Sequence, residues 1–482
     1  MKIKRGEIVK LKISKYAFEG KGIAKVCKEK LLGLADNGEE NYVVFVENSY
    51  PGDVVKAGLR KIKNSYAEAF TVELIEPSDL RVAAKCKHFG TCGGCKQQDL
   101  NYDHQLNFKQ LQVQEVFRNI AGMKDIKIES IIPSEKIFGY RNKVEFSFGD
   151  LRWLTKDELQ SNEKIERDFA LGFHIPKIYD KVLDIEKCFL ISDLGNEILS
   201  FVRDFFKSEN VKPYSQKTHT GFLRNLVIRQ SFHTNDLMVN LVTFDDNESL
   251  MRKFTEFLVN KFSQVTTIVN NISKKLSQVA IGDYEKVLFG SGYIYDFIGN
   301  YKFRISSNSF FQTNTLQAEK LYQTAVDFAE FKKDEIVYDL YAGAGTITLF
   351  ASEYVKEIYG FESNLSAVED AEYNAKLNNV INTKFFEVNL YKSFLPLVER
   401  NKLPKPDTII IDPPRSGMHT NTVDDVIQLA PKKIVYVSCN PATQARDVRM
   451  FLENGYKLIK MKPVDMFPHT YHIENVVLMS KD

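Results

Sequence analysis

Two residues near the carboxyl terminus have the side chains needed for nucleophilic and acid–base chemistry. Cys439 follows the apolar run VYVS and lies two residues before Pro441, so the pattern predicts a thiol at the carboxyl end of a strand. A thiolate is a strong nucleophile when its pKa is lowered, although a lone cysteine is more often a small buried side chain. Glu474, in the segment PHTYHIENV, is the first candidate for a general base, with His469 and His472 as alternatives.

This pair matches the chemistry that carbon 5 of uracil requires. Carbon 5 is a poor nucleophile, but addition of a thiolate to carbon 6 turns it into an enolate-like centre that can attack a methyl sulfonium. A base must then remove the proton on carbon 5 before the thiol leaves. We therefore expect Cys439 to be the nucleophile and Glu474 to be the base. An enzyme of this kind must flip its target base out of the stack.

A cofactor site is predicted in the segment VYDLYAGAGTITL, which reads as a strand, a glycine-rich turn and a helix. Gly343 and Gly345 allow a sharp turn and a close approach of the backbone to a ligand. Glu362 ends the next strand, 17 residues after Gly345, where an acid accepts hydrogen bonds from ribose hydroxyls. Thr348 replaces the third glycine of the dinucleotide fingerprint, which favours S-adenosylmethionine over a nicotinamide cofactor.

The segment DTIIIDPPRSG places Asp412 at the carboxyl end of a further strand. An Asp-Pro-Pro motif in this place also occurs in methyltransferases of base amino groups, where an aromatic residue follows and stacks on the base. Arg415 stands at that position here, which disfavours methylation of an amino group in DNA or RNA.

Four cysteines are spaced as metal ligands rather than as a disulfide framework. Cys86, Cys92 and Cys95 lie within ten residues, and Cys188 follows at a distance. Cysteines are few for a chain of 482 residues, and the N-terminus lacks the apolar stretch of an export signal. Four thiolates can hold a [4Fe–4S] cluster or a zinc ion, and three close cysteines with one distant one favour the cluster. We expect this cluster to be closed and structural.

The periodicity of apolar residues divides the chain into three regions, whose strands and helices must position these side chains. Residues 1–75 predict five short strands of a small OB-type barrel, a fold that commonly binds single-stranded nucleic acid. Residues 76–300 predict a mixed α+β domain that carries the cysteines, with a helix over 101–121 and an exposed insertion over 151–168. Residues 301–482 predict a doubly wound α/β sheet of the Rossmann-like type that ends in an antiparallel hairpin.

Composition and charge are those of an ordinary globular protein. The chain is 44% hydrophobic and 27% charged, and no apolar run is long enough to span a membrane. The net charge is +2, but residues 1–70 hold 14 basic and 9 acidic side chains, a bias consistent with a nucleic-acid contact. Tyr16, Phe18 and Tyr66 are candidates for base stacking, although aromatic side chains of small barrels more often lie in the core.

Together these motifs resemble those of the bacterial RNA uracil-C5 methyltransferases with an N-terminal TRAM domain and an iron–sulfur cluster, in particular the branch acting on 23S ribosomal RNA. The resemblance covers nearly the whole chain, and it implies a nucleophile at Cys439 in S-C-N-P and a proton acceptor at Glu474 in H-x-E. The contacts to S-adenosylmethionine that it implies are Gln312 in SNSFFQTN, Tyr341, Glu362 and Asp412. The cluster ligands that it implies are Cys86, Cys92, Cys95 and Cys188.

The resemblance also implies a substrate and a location. RNA is the expected partner, held in part by the TRAM domain, with 23S ribosomal RNA as the first candidate. The same chemistry on the T-loop uridine of transfer RNA is one alternative, and a non-catalytic RNA-binding assembly factor is another. We expect a cytoplasmic enzyme with no membrane association and no obligate protein partner. Ala342 departs from the family, where many members have cysteine, and the insertion over 151–168 bears on which RNA is bound.

Overall fold

A computed structural model describes residues 4–27, 42–125, 127–161, 165–276 and 280–481 of the chain. These residues form three large β-sheets, of six, eight and seven strands, and one separate two-stranded hairpin. None of their helices is both long enough and apolar enough to cross a membrane.

The N-terminal sheet has six strands, one more than the sequence predicted. The strands are β1 Ile8–Lys12, β2 Lys15–Ala17, β3 Lys21–Val26, β4 Tyr42–Glu47, β5 Val54–Ile62 and β6 Tyr66–Glu76. Their spatial order is β1-β5-β6-β4-β3-β2. The additional strand, β2, is only three residues long, too short for an alternating pattern to reveal it. Alternation along the longer strands directs side chains such as Leu11, Val44 and Leu59 into one core.

The central region is built around a mixed sheet in the order β14-β13-β12-β11-β7-β9-β10-β8. Its elements are α1 Tyr102–Ile120, β7 Lys143–Gly149, β8 Arg152–Trp153, α2 Lys156–Gln160, β9 Ala170–His174, β10 Val182–Asp184, α3 Asp193–Ser208, β11 Leu223–Gln230, β12 Leu237–Thr243, α4 Glu248–Lys261, β13 Thr267–Ile272 and β14 Tyr284–Phe289. The middle strands are almost wholly buried, and α3 and α4 add Phe206 and Phe254 to the same core. The predicted insertion contains β8 and α2, which begins with a capping box of Thr155 and Glu158.

Helix α1 confirms the prediction over 101–121 but packs outside the central sheet. Its N-cap is Asn101, whose side chain accepts the N–H of Asp103. Its apolar face, with Val113, Val116 and Phe117, is buried in a core that belongs to the C-terminal sheet. The helix therefore connects the cysteine-bearing segment directly to the C-terminal region.

The C-terminal region is the predicted doubly wound sheet, preceded by a hairpin. Its elements are β15 Tyr293–Ile298, β16 Tyr301–Ser306, α5 Thr315–Ala329, β17 Ile336–Leu340, α6 Thr346–Ser352, β18 Glu357–Glu362, α7 Leu365–Leu377, β19 Thr383–Glu387, α8 Leu395–Arg400, β20 Thr408–Ile411, α9 Thr420–Leu429, β21 Lys433–Ser438, α10 Pro441–Glu453, β22 Lys457–Val464 and β23 Glu474–Ser480. The sheet order is β19-β18-β17-β20-β21-β23-β22. The first five strands are parallel and fully buried near the centre, as in sheets covered by helices on both faces.

The final two strands form the expected antiparallel hairpin, with β23 inserted beside β21. The strand order reverses between β17 and β20, and open α/β sheets bind ligands at the carboxyl ends of strands beside such a switch point. The segments expected to carry chemistry follow the carboxyl ends of β17, β18, β20 and β21.

Candidate active site

The predicted nucleophile lies at the carboxyl end of β21, in the turn to α10. Cys439 stands between the last strand residue, Ser438, and Asn440, whose side-chain oxygen accepts the N–H of Ala442 and caps the helix. The Cys439 thiol is half-buried and lines a cavity of about 120 Å³. This exposure distinguishes it from a core cysteine, because a reactive thiol needs access to its substrate.

The cavity at Cys439 is lined by residues from both ends of the chain. Phe18, between β2 and β3 of the N-terminal sheet, lines it together with Tyr471 from the loop before β23. The other aromatic candidates for base stacking lie elsewhere. Tyr16 is buried in aromatic contacts, as is more usual for aromatic side chains of small barrels, and Tyr66 makes an edge contact within the N-terminal sheet. Phe18 is thus the candidate best placed to meet a base.

The predicted base, Glu474, is the first residue of β23. Ser438 pairs with Asn475 in antiparallel register, so Cys439 and Glu474 are the residues that directly adjoin the last pair of this ladder. Glu474 is buried. Burial, reinforced by the charge of Asp412, raises the pKa of Glu474 well above its ordinary value. A carboxylate with a raised pKa is a stronger proton acceptor than an exposed one.

The electrostatic surroundings of Cys439 keep its thiol protonated in the free protein. Burial, followed by the charges of Glu474 and Asp412, raises the pKa of the Cys439 thiol to about 12. The Arg415 guanidinium acts in the opposite direction and lowers it. The thiol therefore needs either added positive charge or removal of its proton before it can attack.

Three carboxyl groups surround the switch point of the sheet. Burial raises the pKa of Asp412 to about 7. Burial also raises the pKa of Asp339 to about 7, and the charges of Asp412 and Glu362 raise it further. A hydrogen bond of 2.5 Å from the Thr348 hydroxyl to Asp339 lowers this pKa, but it does not outweigh the effect of burial. Acidic groups concentrated in one buried place favour a positively charged ligand, which would relieve their mutual repulsion.

The glycine-rich turn after β17 is open on one side. Gly343 has a φ of +55°, and a Cβ added to it would meet no atom within 4 Å. Its N–H donates to Oε2 of Glu362 at 3.0 Å. The other oxygen of Glu362 accepts the N–H groups of Ser363 and Asn364, at 2.6 and 2.9 Å. The turn therefore offers space for a ligand beside a carboxylate that is fixed in orientation.

Tyr341 and Gln312 are held by other neighbours around this turn. Tyr341 has a φ of +67°, and its N–H donates to the carbonyl oxygen of Phe361 at 2.9 Å. Burial raises the pKa of the Tyr341 hydroxyl to about 12, opposed by a hydrogen bond with Thr422. Gln312 lies half-buried between β16 and α5, and its carbonyl oxygen accepts a hydrogen bond of 2.7 Å from Asn142. Neither residue lines the cavity at Cys439.

Arg415 also belongs to the site, although the sequence did not predict a role for it there. Its Nη2 lies 3.0 and 3.2 Å from the two ring nitrogens of His472. Arg415 lines the same cavity as Cys439, and its charge lowers the pKa of the thiol. Its carbonyl oxygen accepts a hydrogen bond of 3.0 Å from Asn440. The available signal was its position directly after the Asp-Pro-Pro motif, at the end of a strand adjacent to that of Cys439.

The two histidines that were alternatives to Glu474 are weak bases in this environment. Burial, with the added charge of Arg415, lowers the pKa of His472 to about 4. Burial also lowers the pKa of His469 to about 4, and its ring packs on Phe138. Glu474 is therefore the stronger proton acceptor of the three.

The four cysteines expected as ligands line one cavity of about 300 Å³ next to the central sheet; they are Cys86, Cys92, Cys95 and Cys188. Burial raises the pKa of Cys92 to about 11 and that of Cys95 to about 12. The N–H of Gly94 donates to Cys92 Sγ at 3.4 Å, and Nε2 of Gln98 donates to Cys95 Sγ at 3.2 Å. Across the described ranges, no three His, Cys, Asp or Glu side chains are arranged to hold a metal ion.

Comparison with known proteins identifies the family of the chain. The sequence profile of the tRNA (Uracil-5-)-methyltransferase family matches residues 231–482, and that of the TRAM domain matches residues 2–72. A protein of Chlorobaculum tepidum named as an RNA methyltransferase is 39% identical, over 100% of this chain and 98% of its own length. A second such protein, from Bacteroides thetaiotaomicron, is 41% identical over 96% of this chain and 99% of its own length.

A solved structure has the same overall architecture. The Pyrococcus abyssi tRNA (uracil-54, C5)-methyltransferase, in complex with S-adenosyl-L-homocysteine, superimposes with a TM-score of 0.73 and 29% identity. The match covers 98% of this chain and 99% of that one. Profile, relatives and structure agree in the S-adenosylmethionine-dependent fold and in RNA as the class of substrate. The chain therefore belongs to the family of RNA (uracil-5-)-methyltransferases, as a member with an N-terminal TRAM domain.

Proposed function

We propose that the chain transfers a methyl group from S-adenosylmethionine to carbon 5 of a uracil in structured RNA, with Cys439 as a covalent nucleophile. The observation that carries this proposal is geometric. The Cys439 thiol and the Arg415 guanidinium line one cavity, and the buried carboxyl group of Glu474 follows the last strand pair beside Cys439. S-adenosylmethionine supplies the electrophilic methyl group.

The side chains divide the reaction into balanced steps. The Cys439 thiolate forms a bond to carbon 6, and the electron pair of the C5–C6 double bond forms the new bond to the methyl carbon. The bond between that carbon and the sulfonium sulfur breaks at the same time and leaves its electron pair on sulfur. Glu474 then accepts the proton of carbon 5, and the released pair restores the double bond as the carbon–sulfur bond breaks. The products are 5-methyluracil, S-adenosylhomocysteine and one proton, and Cys439 is regenerated.

The proposed role of Arg415 is to stabilise the thiolate of Cys439. Its charge opposes the effect of burial on the pKa of Cys439 and on that of Glu474. The hydrogen bond from Asn440, the residue after the nucleophile, keeps the Arg415 backbone beside the thiol. A fixed cation in a half-buried cavity lowers the cost of forming an anion there.

The proposed contacts to S-adenosylmethionine are Gln312, Tyr341, Glu362 and Asp412. The open space at Gly343 is where the backbone can approach the ligand closely. Oε2 of Glu362 accepts one hydrogen bond in the described residues and has capacity left for a ribose hydroxyl. The raised pKa of Asp412 favours a neighbouring positive charge, such as that of a sulfonium.

A [4Fe–4S] cluster is proposed at the four cysteines that share one cavity, Cys86, Cys92, Cys95 and Cys188. Three close cysteines with one distant one favour a cluster over a zinc ion held by thiolates alone. Donors to sulfur from Gly94 and Gln98 are typical of the surroundings of cluster thiolates. Arg141 and Lys143 also line the cavity and would offset the negative charge of such a cluster. Iron and sulfide analysis of anaerobically purified protein tests this part.

The proposed substrate is 23S ribosomal RNA, with the T-loop uridine of transfer RNA as the second candidate. The cysteine site supports the first by analogy. The likeness to a protein named as a tRNA (uracil-54, C5)-methyltransferase favours the second. We divide the chain into a TRAM domain, 1–75, a central domain, 76–300, and a methyltransferase domain, 301–482, and we expect it to act in the cytoplasm. The boundary at 300 falls in the turn of the hairpin of β15 and β16.

Mapping of 5-methyluridine in 23S ribosomal RNA and in transfer RNA, with and without the gene, tests the activity and its target. Loss of a modification in 23S ribosomal RNA supports the first candidate, and loss confined to the T-loop supports the second. An unchanged map in both RNAs would overturn the proposed activity.

Two variants test the covalent mechanism. Cys439→Ala should bind S-adenosylhomocysteine normally and lose turnover. Glu474→Gln should accumulate a protein–RNA adduct that survives a denaturing gel, because the proton on carbon 5 is not removed. Turnover by Cys439→Ala would contradict covalent catalysis. If the protein were a non-catalytic assembly factor, both variants would keep its function.

A further inference from the structure

The loop that leads into the proposed base, Glu474, is hydrogen-bonded to the loop that carries three of the four cysteines. Residues 86–100 are here named the cysteine loop, and residues 465–473, between β22 and β23, are named the base loop. The backbone N–H groups of Lys96 and Gln97 both donate to the carbonyl oxygen of His469, at 2.8 and 3.0 Å. These two donors directly follow the third cysteine of the loop. The end of the cysteine site is thus hydrogen-bonded to the middle of the base loop.

His469 has an uncommon backbone conformation. Its φ is +64°, in the left-handed region that few non-glycine residues adopt. The residue is 4% exposed, and the centroid of its ring lies 4.4 Å from that of Phe138. Its own N–H donates to Oε1 of Gln105 at 2.9 Å. Loss of these contacts would allow the backbone at His469 to relax.

Gln105 of α1 joins the two loops with a single amide group. Its Nε2 donates to the carbonyl oxygens of Gln97 and Leu100 in the cysteine loop, at 2.9 and 2.8 Å. Its Oε1 accepts the N–H of His469 in the base loop. The side chain is fully buried, so movement of either loop would leave a polar group unpaired away from water.

The beginning of the base loop is anchored independently. The Lys109 amine pairs with Asp465 at 2.6 Å and donates to the carbonyl oxygen of Phe467 at 3.1 Å. The attachment at His469 holds the start of the remaining part, which leads to Glu474 five residues later. Arg415 contacts the same part at His472. The contacts of the cysteine loop act on the half of the base loop nearest to the proposed base.

We propose that the cysteine loop is a clamp that holds the base loop in its working position, with Gln105 and His469 as positioning residues for Glu474. A change at the cysteine site that withdraws the two N–H donors loosens the base loop and slows removal of the proton from carbon 5. The inference rests on the proposed function only in naming Glu474 as the base. The mechanical connection between the loops does not depend on it.

Hydrogen exchange measured by mass spectrometry tests the connection without requiring turnover. Cys95→Ser should raise amide exchange about fivefold or more in the base loop as well as in the cysteine loop. Cys27→Ser changes a cysteine outside the cavity and should leave the base loop as in the wild type. Faster exchange confined to the cysteine loop of Cys95→Ser would overturn the proposal.

Gln105→Ala tests the same connection from the helix, should Cys95→Ser fail to fold. We expect faster exchange in both loops, a fall in kcat of about tenfold or more with KM for S-adenosylmethionine within about twofold, and accumulation of the methylated adduct. Gln112→Ala removes another buried glutamine of α1, whose amide has no hydrogen bond within the described residues, and should behave as wild type.

A purely structural role for Gln105 would reduce the amount of active protein without trapping an adduct, and that result would contradict positioning. If Gln105→Ala leaves amide exchange in both loops unchanged and the wild-type protein methylates RNA, the clamp is contradicted and the proposed function stands. If exchange in the two loops rises together but the wild-type protein has no methyltransferase activity, the clamp stands and the proposed function is contradicted.

Discussion

The side-chain Nδ2 of Asn440 donates a hydrogen bond of 3.0 Å to the backbone carbonyl oxygen of Arg415. The Oδ1 of the same side chain accepts the N–H of Ala442 and caps α10. One amide therefore fixes both the turn that presents Cys439 and the loop that presents a cation beside it. Bonds of this kind hold reacting groups in place before the substrate arrives.

Asn440→Ala should separate these two roles. Loss of the cap should lower the free energy of unfolding by about 1 kcal/mol, and loss of the Arg415 contact should lower single-turnover methylation by about tenfold or more. Asn247→Ala is the matched control, because Asn247 caps α4 in the central region by accepting the N–H of Leu250 at 3.1 Å. It should lose similar stability and keep its turnover. Equal turnover in the two variants would remove Asn440 from the site.

The reactivity of Cys439 should rise with pH. Because burial raises the pKa of its thiol to about 12, the thiolate fraction should grow tenfold for each pH unit between about pH 7 and pH 10. Arg415→Gln removes the group that lowers this pKa, so alkylation should be slower at every pH. Iodoacetamide labelling followed by mass spectrometry of the Cys439 peptide measures both effects. A plateau below about pH 9, or faster labelling of Arg415→Gln, would contradict the assignment.

Gly343→Ala should weaken ligand binding more than folding. Gly343 and Gly122 both have positive φ, +55° and +73°, and a Cβ added to either meets no atom within 4 Å. Both alanine variants should therefore lose about 1 kcal/mol of stability from backbone strain alone. Only Gly343→Ala should lower the affinity for S-adenosylhomocysteine, by about tenfold or more, in calorimetric titrations. Equal affinities of the two variants for S-adenosylhomocysteine would show that the ligand does not bind beside Gly343.

The buried pair of Lys109 and Asp465 should be the costliest ion pair to break. Both side chains are 0% exposed and lie 2.6 Å apart. Lys109→Met leaves the buried Asp465 carboxylate without a cation, although Tyr102 still donates a hydrogen bond to it. The variant should lower the free energy of unfolding by about 3–5 kcal/mol in urea denaturation. Arg252→Ala breaks an exposed pair with Glu248 and should lose less than about 1 kcal/mol. A Lys109→Met/Asp465→Leu double variant should recover most of the loss.

Local patterns predicted much of the C-terminal fold. Alternating strand and helix periodicities located the strands whose ends carry Cys439 and Asp412, and they located the closing hairpin that carries Glu474. Helix α1 was predicted for the same reason, since its apolar face repeats at helical spacing. The short strand β2 was missed, because a three-residue strand carries no periodic signal. For Tyr16 the sequence left base stacking and core burial open, and the structure shows that it is buried.

The sequence by itself determined which chemistry was available: a thiol and carboxyl groups at strand ends, a glycine turn, and four cysteines at ligand spacing. Only the tertiary structure decided which groups meet. The packing of separate sheets and helices places Arg415 and Phe18 at the cavity of Cys439. It also brings Gln105 into hydrogen-bond contact with His469, which lies 364 positions later in the chain. Periodicity reports which face of an element is buried, whereas the partner on that face is set by packing between segments distant in the chain.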